Sequence, residues 1–308
     1  MENWKGTGTK PPPHSGPEFE NMMREVDAAL VAEGHSIPNR PILAGRNVSL
    51  KYQVPVPITS DPSHLPPELR PFAPLGEAIN QWYENTYGDR LKVDMLPGRA
   101  VVQLDGDLYV LRVPRIFGRA RFVMSRTFLP APTIGRGPAI CNIVELVDDL
   151  TPAKAALLSD ESLQHLNDIF DRALSALYTL ERAQHDLLSA ARGDLATAVY
   201  CLMERGDRFG ESKWASLQAA EKILKAAIAL QGATFEKTHN LAELCAALRD
   251  AGIPFDELAL VQSIQCSPAI RYGQEACSQP EAVAAHHASL ALVNGLRDAG
   301  AKFELGLG

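Results

Sequence analysis

The chain has 308 residues, a length that favours two domains over one. A hydrophobic share of 46% and a charged share of 22% are those of a globular protein and exclude wholesale disorder. Thirty basic side chains against 37 acidic ones give a net charge of −7, which excludes a globally basic nucleic-acid coat but not a local basic patch.

Residues 1–17, rich in Gly, Pro, Thr and Lys, cannot bury apolar surface and read as a disordered tail without the apolar stretch of a secretory signal. Phe19, Met22, Met23, Val26 and Leu30 then recur at helix spacing over 18–32. Prolines crowd the stretch from Ile37 to Pro74; each removes a backbone donor and fixes φ, so loops and edge segments are expected there. Leu75–Tyr87 suits a helix ended by Gly88. The period then changes to two. Leu91, Val93 and Met95 alternate with polar residues, and Ala100–Leu104 and Leu108–Val113 flank Asp105-Gly106, a hairpin pattern. Further strands are expected at Arg119–Ser125 and Ala139–Val147. After Pro152 the pattern is helical: one long helix around Asp160–Ala191, then helices near 194–204, 212–230, 241–249, 256–264 and 280–298.

The fold expected is an α+β N-terminal domain over 18–150, a long connecting helix over 151–189, and an all-α up-and-down bundle over 190–302. The first 150 residues carry a net −1 (16 basic, 17 acidic), so the acidity lies in the helical part. No run of about 18 apolar residues occurs, so no membrane contact is expected. Five cysteines without a CxxC fit reduced thiols in a cytoplasmic protein.

Three sets of residues invite a chemical reading. On the Trp214–Leu230 segment, Trp214, Leu217, Glu221, Leu224 and Ile228 share one stripe. Glu221 on an apolar stripe needs a partner, which Lys225 one turn on supplies as an internal ion pair. Alternatively Glu221, Lys222 and Lys225 face a groove and meet a phosphate. Lys237-Thr238-His239-Asn240 precedes a helix marked by Leu241, Leu244 and Leu248. Thr238 and Asn240 suit its cap, while Lys237 and His239 beside a helix start suit an anion. Arg271-Tyr272 could clamp a phosphate or pair with an acidic neighbour, and His286 reads as a satisfied core histidine. The third set is an arginine run: Arg112, Arg115, Arg119, Arg121, Arg126 and Arg136, with Phe117, Phe122 and Phe128 interleaved and no Asp or Glu between Leu108 and Val144. In a strand, Arg119 and Arg121 share one face and Phe122 and Met124 the other. Such a surface neutralises phosphates on one side and packs on the other, or else faces the acidic helices.

The pieces Asp194-Leu-Ala-Thr-Ala-Val-Tyr, Ala219-Ala220-Glu221-Lys222 with Lys225-Ala226, Phe235, Lys237-Thr238-His239-Asn240-Leu241 and Arg271-Tyr272 occur in one order. In that order they resemble the HEPN family of helical domains, over about residues 190–302. The resemblance implies a helical bundle that pairs with a second copy as a homodimer, nucleotide or RNA binding, and a defence or toxin–antitoxin setting. HEPN ribonucleases carry an Arg followed, after four to six residues, by a His. None of the eight histidines has an Arg at that distance; Arg182-Ala-Gln-His185 is too short. The expectation is therefore a non-catalytic nucleotide- or RNA-binding module, with candidates Lys222, Lys225, Lys237, His239, Arg271, Tyr272, Arg119 and Arg121. No catalytic residue, cofactor or metal is expected. Asp105-Gly106-Asp107 has an Asp-x-Asp form but falls on a hairpin turn. A divergent ribonuclease and a protein-interaction scaffold are the competing readings.

Overall fold

The computed structural model describes residues 12–58, 63, 65–130, 138–204 and 206–303. The first eleven residues of the expected tail, His64 and Arg136 lie outside them. The chain divides into two compact units, Met1–Asp94 and Met95–Gly308.

The first unit is built of three helices: α1 (Gly16–Ala32), α2 (Arg40–Tyr52) and α3 (Ala73–Tyr87). Helix α1 starts within the expected tail, with Pro17 in its first turn, where the missing N–H would have had no partner. Helix α2 corrects the expectation of loops across the proline-rich stretch. Pro41 again occupies a first turn, and the residues from Ile42 onward contain no proline until Gln53, at φ 51°, ends the helix. Phe19, Met22, Met23, Val26 and Leu30 of α1 pack with Ala44, Val48, Leu75, Ile79 and Tyr83. Within this core Tyr87 donates to Asp27 (2.5 Å) and accepts from Arg40 (3.0 Å), so a buried carboxylate is matched by a cation from another helix. Burial and the Asp27 carboxylate hold the Tyr83 phenol well above its ordinary range.

The second unit begins with strands. β1 (Gly98–Leu104) and β2 (Asp107–Val113) form the expected hairpin, with Val102 opposite Tyr109 and Leu104 opposite Asp107. Asp105 and Gly106 take φ 47° and 93°, the left-handed turn that glycine admits without strain. The Asp105 carboxylate accepts from Ser162 (2.6 Å) and Ser159 (3.1 Å), and Asp107 pairs with Lys154 (3.0 Å), so both carboxylates of the Asp-x-Asp pin the hairpin in place. β3 (Ala120–Val123) and β4 (Ala139–Asn142) pair in parallel, Arg121 opposite Ile140 and Phe122 opposite Cys141. The alternation at 91–95 makes no strand: a 3-10 turn closes at Leu91 and 92–96 is irregular.

Helices follow: α4 (Pro152–Ala156), α5 (Asp160–Arg182), α6 (Asp186–Met203), α7 (Phe209–Leu230), α8 (Leu241–Asp250), α9 (Leu258–Ile264) and α10 (Gln279–Asp298). Small β-sheets and helices thus precede a helical C-terminal region. The single helix expected over 160–191 is two. The chain turns extended at Ala183, and His185 restarts it by accepting the Leu187 N–H on Nδ1 (3.2 Å). Gly193, expected between elements, lies inside α6. Leu166, Phe170 and Leu177 of α5 share one core with Val102 and Leu111 of the hairpin and with Leu217, Leu224 and Leu292 of α7 and α10. A boundary near residue 150 is therefore replaced by one at 94, and α5 is part of a core, not a connector. Among the described residues, no helix is long and apolar enough to cross a membrane.

Close packing fixes α7 at its start. A Cβ added at Gly210 would stand 2.3 Å from the Ile270 carbonyl oxygen, and a backbone atom cannot swing aside. Gly210→Ala is expected to destabilise the second unit by about 1–3 kcal/mol despite alanine's better helix propensity, read as a lower urea midpoint. A midpoint at or above wild type would refute the close approach.

Candidate functional site

On β3 the side chains divide as strand alternation dictates. Phe122 turns inward and its ring packs 4.8 Å from that of Phe170, with Met124 and Phe128 against the same core. Arg119 and Arg121 are left exposed on the outer face, with Ile140 opposite in register and Phe117 also exposed. The other described arginines of the run are tied down. Arg112 pairs with Asp148 (2.7 Å), Arg115 with Glu181, and Arg126 with Asp160. Three arginines meet acidic residues of their own unit, as the internal reading of the run expects, while Arg119 and Arg121 have no carboxylate partner among the described residues.

Glu221 occupies the buried stripe of α7, its side chain only 9% exposed. Lys225 donates to Oε1 at 2.6 Å, and His239, arriving from the connection before α8, meets Oε2 through Nδ1 at 2.7 Å. Lys225 is nearly as buried, whereas the His239 side chain is 67% exposed. Trp214 and Phe235 flank the pair: the His239 ring lies 6.4 Å from that of Trp214, and Lys225 stands 5.6 Å over that of Phe235. Lys222 is held by Asp194 of α6. The two lysines are thus spoken for inside the chain, and the groove reading of Glu221, Lys222 and Lys225 gives way to the internal pair.

Around α8 the bland reading of the turn also holds. The Asn240 side chain accepts the Ala242 N–H (3.0 Å), Thr238 Oγ1 accepts the Asn240 N–H and donates to Glu243, and Gln265 accepts the Leu241 N–H. Three of the free donors of that helix start are therefore engaged, and Lys237 stands exposed nearby in sequence. Arg271 and Tyr272 form the end of a 3-10 turn that rests on the start of α7; both are exposed, the guanidinium 5.8 Å from the ring. The eight candidates therefore do not converge. Lys225 and His239 meet at Glu221, Lys222 pairs with α6, Lys237 is exposed in the connection before α8, Arg271 and Tyr272 sit at the start of α7, Arg121 is on β3 and Arg119 just before it.

The histidines of α10 are interior. His287 donates from Nε2 to the Val101 carbonyl (2.8 Å), and burial pushes its pKa down to about 4. His286 is fully buried, and neither ring nitrogen has a hydrogen-bond partner among the described residues, which corrects the expectation that it is satisfied. Burial, with His287 alongside, takes its pKa down to about 3.

Sequence reasoning missed the tie between His239 and Glu221, because 18 positions separate them and no spacing rule spans a loop. It also missed Asp194 as the partner of Lys222. No curated protein and no solved structure matches the chain. The family model of the HEPN domain matches residues 184–263, from the restart before α6 to the penultimate turn position of α9, and leaves the N-terminal part without a match. Over residues 184–263 the chain is thus similar to the HEPN domain.

Proposed function

We propose that the protein is a non-catalytic nucleotide- or RNA-binding module that dimerises through its helical bundle. The observation that carries the reading is the exposure of Arg121 on β3, opposite the exposed Ile140, and of Arg119 just before the strand, while the other described arginines of the run are consumed by internal pairs. Exposed guanidiniums without a carboxylate partner suit the phosphates of a nucleic-acid chain, and the exposed Phe117 lies two residues before Arg119 in the chain. Pairing through the bundle, and a place in defence or a toxin–antitoxin system, are what the HEPN resemblance implies; the exposed Tyr200 and Met203 of α6 support the first.

The test is a salt titration of the full chain against a short labelled RNA, with light scattering for the oligomeric state. Arg119→Glu/Arg121→Glu is expected to weaken binding about tenfold or more and to flatten the slope of log K against log salt by about 1.4, roughly 0.7 for each cation lost. Undiminished affinity in that variant would remove the face from the proposal. Salt-sensitive association with an acidic protein, without RNA binding, would favour the scaffold.

One observation favours a second reading. A carboxylate on Nδ1 of an exposed imidazole leaves Nε2 turned away from the pair, the arrangement in which a carboxylate orients a general base. RNA cleavage in the same titration, abolished by His239→Ala, would establish the divergent ribonuclease in place of the non-catalytic module.

A further inference from the structure

In the first unit, the end of α2 and the chain that leads into α3 enclose a hollow of about 620 Å³. Leu50, Val54 and Pro55 line one side of it, and Leu69 and Phe72 the other. Leu50 is 59% exposed, so a large apolar side chain of the wall is left to water. A hollow of this size with apolar walls and a few polar groups is of the kind that holds small molecules.

Both sides are held by the backbone. Gln53 takes φ 51° and ends α2, its Nε2 donating to the Leu50 carbonyl (2.7 Å), and the Val54 N–H returns to the Ser49 carbonyl (3.2 Å). Beyond Pro55 the chain leaves the hollow across two glycines. A Cβ at Gly45 would touch Ile58 and Val56, and one at Gly76 would stand 2.0 Å from the Pro57 carbonyl oxygen. On the other side Arg70 donates to the carbonyls of Leu65 (3.0 Å) and Ser63 (3.3 Å), and the Leu69 N–H donates to that of Pro66 (2.9 Å). The turn carrying Glu68 and Leu69 is thereby fixed, and the Arg70 guanidinium is spent on backbone.

The polar groups of the lining are suited to accept hydrogen bonds. Glu68 is the one charged residue among them, exposed and without an ion-pair partner among the described residues. Gln53 has used its amide N–H on Leu50, which leaves its side-chain carbonyl as the available group, and Ser49 adds a hydroxyl. No Lys or Arg lines the hollow. An anion would find no counter-charge there, whereas an ammonium group, with three N–H donors and no acceptor, matches a carboxylate, an amide carbonyl and a hydroxyl beside an apolar wall.

We propose that this hollow binds a small organic amine, its ammonium group on Glu68 and its apolar body against Leu50, Leu69 and Phe72. An exposed ion pair by itself is worth little. The apolar wall supplies the affinity, and Glu68 the choice of head group. The site lies outside residues 184–263 and shares no residue with the β3 face, so its success or failure is separable from that of RNA binding.

The test titrates the full chain, by calorimetry, with three compounds that carry one phenyl body and different head groups: phenethylamine, phenethyl alcohol and phenylacetate. Wild type is expected to bind the amine about five- to tenfold more tightly than the alcohol, the effect of one charge-assisted contact, and the acid most weakly. Glu68→Gln keeps the shape and should bring the amine down to the alcohol; Glu68→Lys should turn the preference toward phenylacetate. Glu68 is exposed, so the melting temperature of both variants should hold. Should it fall, Leu50→Ser, also at an exposed side chain, is read in their place and should weaken amine and alcohol alike. No binding of the amine to wild type, equal affinity for all three compounds, or an amine preference that survives Glu68→Gln would overturn the assignment, as would unchanged affinities in Leu50→Ser.

Discussion

Glu221→Ala is expected to lower the stability of the second unit by about 3–5 kcal/mol, the cost of leaving a buried charge without its partner. The charge in question is Lys225, whose side chain is 12% exposed and whose ammonium group bonds Glu221 at 2.6 Å. A lysine there cannot turn to water without vacating the space beside Phe235. His239→Ala should behave differently. Its imidazole is mostly in solvent, and removing it costs less than about 1 kcal/mol, as for exposed pairs generally. Urea unfolding of the two variants separates the structural share of this cluster from any chemical one. A large loss for Glu221→Ala with a small one for His239→Ala fits a pair that holds α7 and uses the histidine only at its rim. A loss below about 1 kcal/mol for Glu221→Ala would mean that Lys225 finds another partner, and the internal ion pair would be abandoned.

What could be read in the sequence follows from the range of the forces involved. Elements marked by local period came out where expected: α3, the β1–β2 hairpin, α7, α8 and α10 match their patterns to within a few residues. The errors share a cause. Helix α2 was hidden because prolines were counted over a long stretch, while only their position within the first turn matters. The break between α5 and α6 falls at Arg182-Ala-Gln-His185, which contains neither Gly nor Pro, and it is made by a histidine acting as a cap. The unit boundary was misplaced because the strands of 98–142 are too small to enclose a core. Two two-stranded sheets gain burial only by joining the helices, and Phe122 on Phe170 and Val102 among the leucines of α5 and α7 are how they do so.

For the site, residue type was legible and availability was not. Lys222 and Arg121 look alike in the sequence as candidate phosphate binders. Tertiary pairing with Asp194 removes the first from the list, and strand alternation keeps the second on the surface.

The interior histidines of α10 predict an acid-sensitive second unit. His286 has a folded-state pKa of about 3, below the 6.5 of an unfolded histidine. The unfolded chain therefore binds the extra proton across the interval between them. Stability contributed by the neutral ring is complete above about pH 6.5 and is lost as the pH falls toward 3. At about 1.4 kcal/mol for each unit of difference, His286 accounts for a loss of roughly 4–5 kcal/mol. His287, with a pKa of about 4, works in the same direction between 6.5 and 4. The two rings are adjacent, so their contributions do not simply add, but both make the second unit less stable as the pH falls below 6.5. His286→Leu isolates the first contribution. The ring has both nitrogens without partners, so an apolar side chain of similar volume forfeits no hydrogen bond, and stability at pH 7 should stay within about 1 kcal/mol of wild type or rise. Between pH 6.5 and 4 the variant's stability should fall less steeply than that of wild type, in urea titrations at stepped pH. A variant with the wild-type slope would show that His286 does not stay neutral in the folded chain, and that an unseen partner reaches its ring.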